Sequence, residues 1–124
     1  MNEKILIADD EPNILVSLEY LMKREGFAVS VARDGDEALA AILRERPALV
    51  LLDVMMPKKS GFEVCQEVRS IDAVKDTLIV MLTAKGRDTD VAKGLGLGAD
   101  AYVMKPFSTR ELVQQVRALL ERRG

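Results

Sequence analysis

The chain has 124 residues, 48% hydrophobic and 31% charged, with a formal charge of −2 at neutral pH and no histidine. That length suits one compact domain, 1–124, and the composition excludes a disordered chain. The slight negative charge argues against direct nucleic-acid binding, and apolar runs of about five residues fall far short of the roughly 20 needed to span a bilayer.

Strand-like and helix-like periods alternate along the chain, the pattern of an α/β protein whose parallel sheet is covered on both faces. The run KILIADD opens it. Residues 12–25 carry Ile14, Leu15, Leu18, Leu21 and Met22 at helical spacing, with Pro12 suited to the first turn and Gly26 to the stop. Residues 27–32 read as a second strand. A second helix is expected over 36–46, with Ala38, Leu39, Ile42 and Leu43 facing inward and Pro47 closing it. The third strand covers 48–52, Pro57 and Gly61 punctuate a loop, and a helix from Phe62 to about Ser70 follows. Residues 77–82 form the fourth strand.

A fourth helix is expected near 88–97, weakened by Gly94 and Gly96. Each interior glycine costs about 1 kcal/mol relative to alanine, which makes this the element expected to move, unless one glycine is simply a C-cap. Residues 101–104 are the last strand. Ser108 with Glu111 forms a capping box ahead of an amphipathic helix carrying Leu112, Val116, Leu119 and Leu120.

Cys65 is the single cysteine; it cannot form an internal disulfide, fits a reducing compartment, and is expected to fill a helix face rather than react. No signal-peptide pattern opens the chain, so a cytoplasmic location is expected. Without histidine there is no Ser/His or Cys/His pair and no imidazole zinc site. The chain also cannot donate a phosphoryl group from histidine; if phosphoryl groups move here, this chain is expected to receive them.

The polar residues that end the apolar runs carry the chemistry. Asp9 and Asp10 follow the first strand, Asp53 the third, Thr83 the fourth and Lys105 the fifth. In an open parallel sheet these ends converge on the crevice where ligands bind. Asp9 and Asp10 could also serve only as acids at a helix N-terminus, worth about 0.3–1 kcal/mol. Two carboxylates about 4 Å apart repel by roughly 4 kcal/mol at an effective dielectric of 20. Lys105 supplies one compensating charge; a hard divalent cation, Mg²⁺ above all, would supply the rest and leave a position for a phosphoryl oxygen. Asp53 could then act as a carboxylate nucleophile and form an acyl phosphate, with Thr83 donating a hydrogen bond.

These residues resemble the motifs of bacterial response-regulator receiver domains of two-component signalling, chemotaxis receivers among them. The resemblance rests on Asp9-Asp10, Asp53-Val54-Met55-Met56-Pro57, Gly61, Thr83-Ala84, Gly98-Ala99-Asp100-Ala101-Tyr102 and Lys105-Pro106-Phe107, and it covers essentially the whole chain. It implies a flavodoxin-like, doubly wound, five-stranded parallel sheet of order 2-1-3-4-5 flanked by five helices. It also implies that Asp53 is phosphorylated by a sensor histidine kinase or a phosphotransfer protein, with Mg²⁺ held by Asp9, Asp10, Asp53 and the Met55 backbone carbonyl. Lys105 would precede a cis Pro106. Thr83 and Tyr102 would act as the switch pair, though Tyr102 could be only an edge aromatic. The output face would be the fourth helix, fifth strand and fifth helix, engaging an output domain or partner protein.

Further expectations come from the residues around that set. Met55 and Lys85 stand where fast-dephosphorylating receivers carry groups that orient water, so slow self-dephosphorylation is expected, unless both side chains simply face solvent. Ala101 and Gln115 replace the acid and arginine of one dimer mode, which puts that mode in doubt while leaving a phosphorylation-dependent homodimer open. An aspartyl-phosphate hydrolase of the haloacid dehalogenase type would need a second aspartate where Met55 stands. A flavin carrier is disfavoured by the absence of tryptophan and of a Ser/Thr-rich phosphate loop. A binding module that keeps the fold without phosphorylation stays open.

Overall fold

Five short runs dominated by aliphatic residues pair side by side in the computed structural model, which describes residues 3–84, 92–93 and 95–123. They are β1 (Lys4–Ala8), β2 (Ala28–Ala32), β3 (Leu49–Asp53), β4 (Leu78–Ala84) and β5 (Ala101–Lys105). Every neighbouring pair is parallel and the order is β2-β1-β3-β4-β5. Because strand side chains alternate faces, each run divides its residues between two cores. Ile5, Ile7, Leu49, Leu51, Val80 and Leu82 meet helix α1 (Pro12–Arg24) and the C-terminal helix (Thr109–Arg123) on one side. Leu6, Ala8, Val50, Leu52, Ile79 and Met81 meet α2 (Gly35–Glu45) and α3 (Gly61–Ser70) on the other. Each fully buried Leu or Ile contributes about 1.5–3 kcal/mol, so continuous apolar runs are what a sheet covered on both faces requires.

The differences from the sequence reading have local causes. Only β1, β3 and β4 are buried almost throughout; β2 and β5 are edge strands and half exposed. Helix α2 starts at Gly35 because the Asp34 side chain caps it, accepting from the Glu37 N–H at 2.8 Å. Its core face is Ala38, Ala41 and Ile42, so Leu43, expected inside, is exposed. Helix α3 starts at Gly61 under a capping box in which Ser60 Oγ accepts from the Glu63 N–H at 3.2 Å and Glu63 accepts from the Ser60 N–H at 3.1 Å. Strand β4 runs two residues further than expected, which places Thr83 inside it. Four helices of ten or more residues are present among the described residues. Half of the helix expected over 88–97 falls outside them, with helical backbone at 92–93 and 95–96.

Arg69, in the last turn of α3, ties three segments together. Its guanidinium donates to the Gly98 carbonyl (2.9 Å), the Lys75 and Thr77 carbonyls (2.8 and 2.7 Å) and Asp100 Oδ2 (2.9 Å). Asp100 Oδ2 also accepts from the Ile79 N–H at 2.8 Å. The guanidinium thus fastens the end of α3 to the starts of β4 and β5. Arg69→Ala is expected to lower unfolding free energy by about 3 kcal/mol in denaturant titrations, since it orphans several acceptors at once. Lysine at 69 should recover little, because a point charge cannot span the fork.

Candidate functional site

Parallel pairing delivers the C-terminal ends of β1, β3, β4 and β5 to one edge of the sheet, and the polar residues stand there. Beyond β1, the Asp9 N–H continues the ladder to the Ala32 carbonyl (3.1 Å). The Asp9 side chain is fully buried; Oδ1 accepts from the Glu11 N–H at 3.0 Å and Oδ2 accepts from Lys105 Nζ at 2.9 Å. Asp53 ends β3 and is 6% exposed, with Oδ1 lying 3.5 Å from Lys105 Nζ. The Met55 backbone N–H donates to its carboxylate. Asp10, Asp53, Met55, Thr83 and Lys105 line an open cavity of about 250 Å³. Asp10 is exposed at its mouth and Thr83 is buried.

Asp9, Asp10 and Asp53 can each offer a carboxylate oxygen within 4.8 Å of the others. Burial first and then the Asp9 charge raise the Asp53 carboxyl from its ordinary 3.8 to about 6, against the pull of Lys105 and the Met55 N–H. Burial alone would weaken the Lys105 ammonium. The Asp9 hydrogen bond and the charges of Asp53 and Asp9 outweigh burial and hold it above the usual lysine range. Three hard oxygen donors facing one ammonium fit a divalent cation, and the acidic cluster is a site that could hold one.

The loop after β3 is pinned by its backbone. The Val54 N–H donates to the Leu82 carbonyl (3.1 Å) and the Gly61 N–H to the Val54 carbonyl (2.9 Å). Gly61 has to lack a side chain: a Cβ there would collide with the Asp53 carbonyl oxygen and come within 3.0 Å of the Val54 Cα. In β5, Tyr102 lies opposite Met81, half-buried against the α2–α3 core, and Thr83 pairs with Met104. The Lys105–Pro106 peptide bond is cis. Lys85 lies outside the described residues. Cys65 is buried in α3, with its thiol 3.6 Å from the Leu97 carbonyl; burial pushes its pKa up, which keeps it a thiol. The sequence reading did not single out Arg69 or Gly35, whose partners include residues far away in the chain.

A parallel α/β domain carrying an acidic cluster and a lysine at its strand ends is the class that fold and site define. The family model for the response regulator receiver domain matches residues 5–117, and the chain belongs to that family. Solved structures agree. A CheY-like response regulator receiver domain protein from Methanospirillum hungatei is 30% identical, covers 98% of this chain and 96% of its own, and superposes with a TM-score of 0.91. The chemotaxis response regulator CheY4 of Vibrio cholerae is 31% identical over 95% of this chain and 98% of its own, with a TM-score of 0.89. The BeF3-activated DrrB receiver domain is 34% identical over 98% and 99%, with a TM-score of 0.88.

An acid whose folded pKa lies above its unfolded value destabilises the fold when ionised. The cost is complete above about pH 6 and disappears as pH falls below 3.8, the ordinary value. Asp53→Asn is therefore expected to raise unfolding free energy by about 1–3 kcal/mol at about pH 8 without divalent cations, with the gain shrinking towards about pH 4. Denaturant titrations at both pH values check this.

Proposed function

We propose that the protein accepts a phosphoryl group on Asp53 from a sensor histidine kinase or a phosphotransfer protein in a Mg²⁺-dependent reaction. The phosphorylated state would then change the face made by the expected fourth helix, β5 and the C-terminal helix, and so control an output domain or partner protein. The observation that carries this reading is the buried Asp53 carboxylate, 3.5 Å from Lys105 Nζ and grouped with two further acids. BeF3 joined to a carboxylate oxygen would mimic the shape and charge of an acyl phosphate, so the BeF3-activated state of the DrrB receiver domain supports it.

In the proposed step, an Asp53 oxygen attacks phosphorus as the phosphorus–nitrogen bond to the donor imidazole breaks. The imidazole leaves with the bonding pair and takes a proton, and Asp53 becomes an acyl phosphate. Asp9, Asp10, Asp53 and the Met55 carbonyl are the groups that would hold Mg²⁺, which supplies neutralising charge for the phosphoryl oxygens. Lys105 supplies a further positive charge, and Thr83 the hydroxyl donor that reads the modification. Such a chain is a signalling phosphoacceptor that promotes its own phosphorylation, not an enzyme acting on a separate substrate. No described helix is long and apolar enough to cross a membrane, and a cytoplasmic location suits a kinase partner. A phosphorylation-dependent homodimer is part of the proposal; direct nucleic-acid contact by this domain is not.

Intact-mass measurement after exposure to a small phosphodonor with Mg²⁺ is expected to show one labile phosphoryl adduct on the native chain and none on Asp53→Asn. A native chain that stays unmodified favours a phosphorylation-independent binding module. The adduct is expected to persist for minutes or longer, because the side chain of Met55, a residue 62% exposed beside the site, carries no hydroxyl, amide or carboxylate to orient an attacking water. Decay within seconds would contradict this.

A further inference from the structure

We infer that Gly35, the first residue of α2, is a positioning residue for this chemistry: it seats the loop between β3 and α3 so that the Met55 backbone is held at Asp53. Gly35 is buried, and a Cβ at this position would collide with the Lys59 carbonyl oxygen and Lys59 Cβ and lie 2.7 Å from the Lys59 carbonyl carbon. Two of these atoms are backbone, so the loop itself would have to move. The same approach is bonded. The Gly35 N–H donates to the Pro57 carbonyl at 3.1 Å, and the Lys59 N–H converges on the same oxygen at 2.8 Å. Lys58 takes a left-handed φ of 70° between them, and its Nζ lies 3.7 Å from Asp34 Oδ2, beside Gly35.

At its other end the loop is held by Gly61, which lies directly against Asp53 and Val54. Two glycines therefore clamp residues 54–60, and the span between them includes Met55, whose N–H donates to the Asp53 carboxylate. A side chain at 35 pushes one jaw of this clamp outwards and carries Met55 with it. Helix propensity alone points the other way, since alanine is a better helix residue than glycine. Outer contacts that orient a metal site typically cost 10–100-fold in affinity when removed, and small misplacements of reacting groups cost comparable factors in rate.

The inference rests on the functional reading above, through the Mg²⁺ ion that Met55 and the acids would share. Mg²⁺ affinity by calorimetry and phosphorylation by a small phosphodonor at saturating Mg²⁺ are compared in the native chain and Gly35→Ala, alongside unfolding free energy without metal. Gly35→Ala is expected to bind Mg²⁺ about tenfold more weakly and to be phosphorylated more slowly even when saturated. A folded Gly35→Ala with native affinity and rate overturns the role assigned to Gly35, whatever its stability. Should Gly35→Ala not fold, Lys59→Gly is measured instead. It deletes the side-chain half of the same contact and loosens the loop, so the same weakening is expected, and native affinity overturns the inference. A native chain that neither binds Mg²⁺ nor accepts a phosphoryl group overturns the functional reading itself, a result separable from failure at Gly35 alone.

Discussion

The structure depends on an unbalanced set of charges: three carboxylates at the strand ends face one ammonium, and two of the three are buried. Lys105 lies 2.9 Å from Asp9 and 3.5 Å from Asp53, so its single charge is divided between them. Removing one member of such a group leaves another uncompensated, and low dielectric magnifies the cost. That residual negative charge suits the acidic cluster to a divalent cation, which could neutralise it. Parallel pairing is what makes the arrangement possible, because it brings residues as distant in sequence as Asp9 and Lys105 to one edge.

The rest of the fold holds that edge still. Alternating residues of β1, β3 and β4 anchor the sheet in two separate cores, leaving the strand ends little freedom. The loop over the site is fixed by backbone contacts at Gly61 and Gly35, where close approach leaves no room for a side chain. On the far side of α3, Arg69 joins the Gly98 carbonyl and Asp100, and so sets where β5 begins and, at its fifth residue, where Lys105 emerges. Asp53, the loop after β3 and Lys105 are thus held by separate ties.

Much of this was legible in the sequence. Continuous apolar runs betrayed β1, β3 and β4, and each site residue stood out because it interrupts or ends such a run. The edge strands were harder, because exposure of one side leaves a shorter and more mixed pattern: Phe27 looked like strand but only packs against the core before β2. The face of α2 was misread at Leu43 because hydrophobicity outranked spacing, whereas small Ala41 is the residue that fits against the sheet. Adjacent acids were indistinguishable as letters, yet Asp9 turns inward to Lys105 and the Glu11 N–H while Asp10 stays at the mouth. Gly35 and Arg69 carried no local signal, since their farthest partners, Lys59 and Asp100, are 24 and 31 positions away in the chain.

The central claim is that Asp53 sits in a negative, buried environment that a divalent cation relieves. Titrating the side-chain carboxyl carbon of Asp53 by nuclear magnetic resonance, with and without Mg²⁺, tests it most directly. The account predicts a midpoint near 6 without metal and a clear fall when Mg²⁺ is added. A midpoint at the ordinary aspartate value that ignores Mg²⁺ would contradict it.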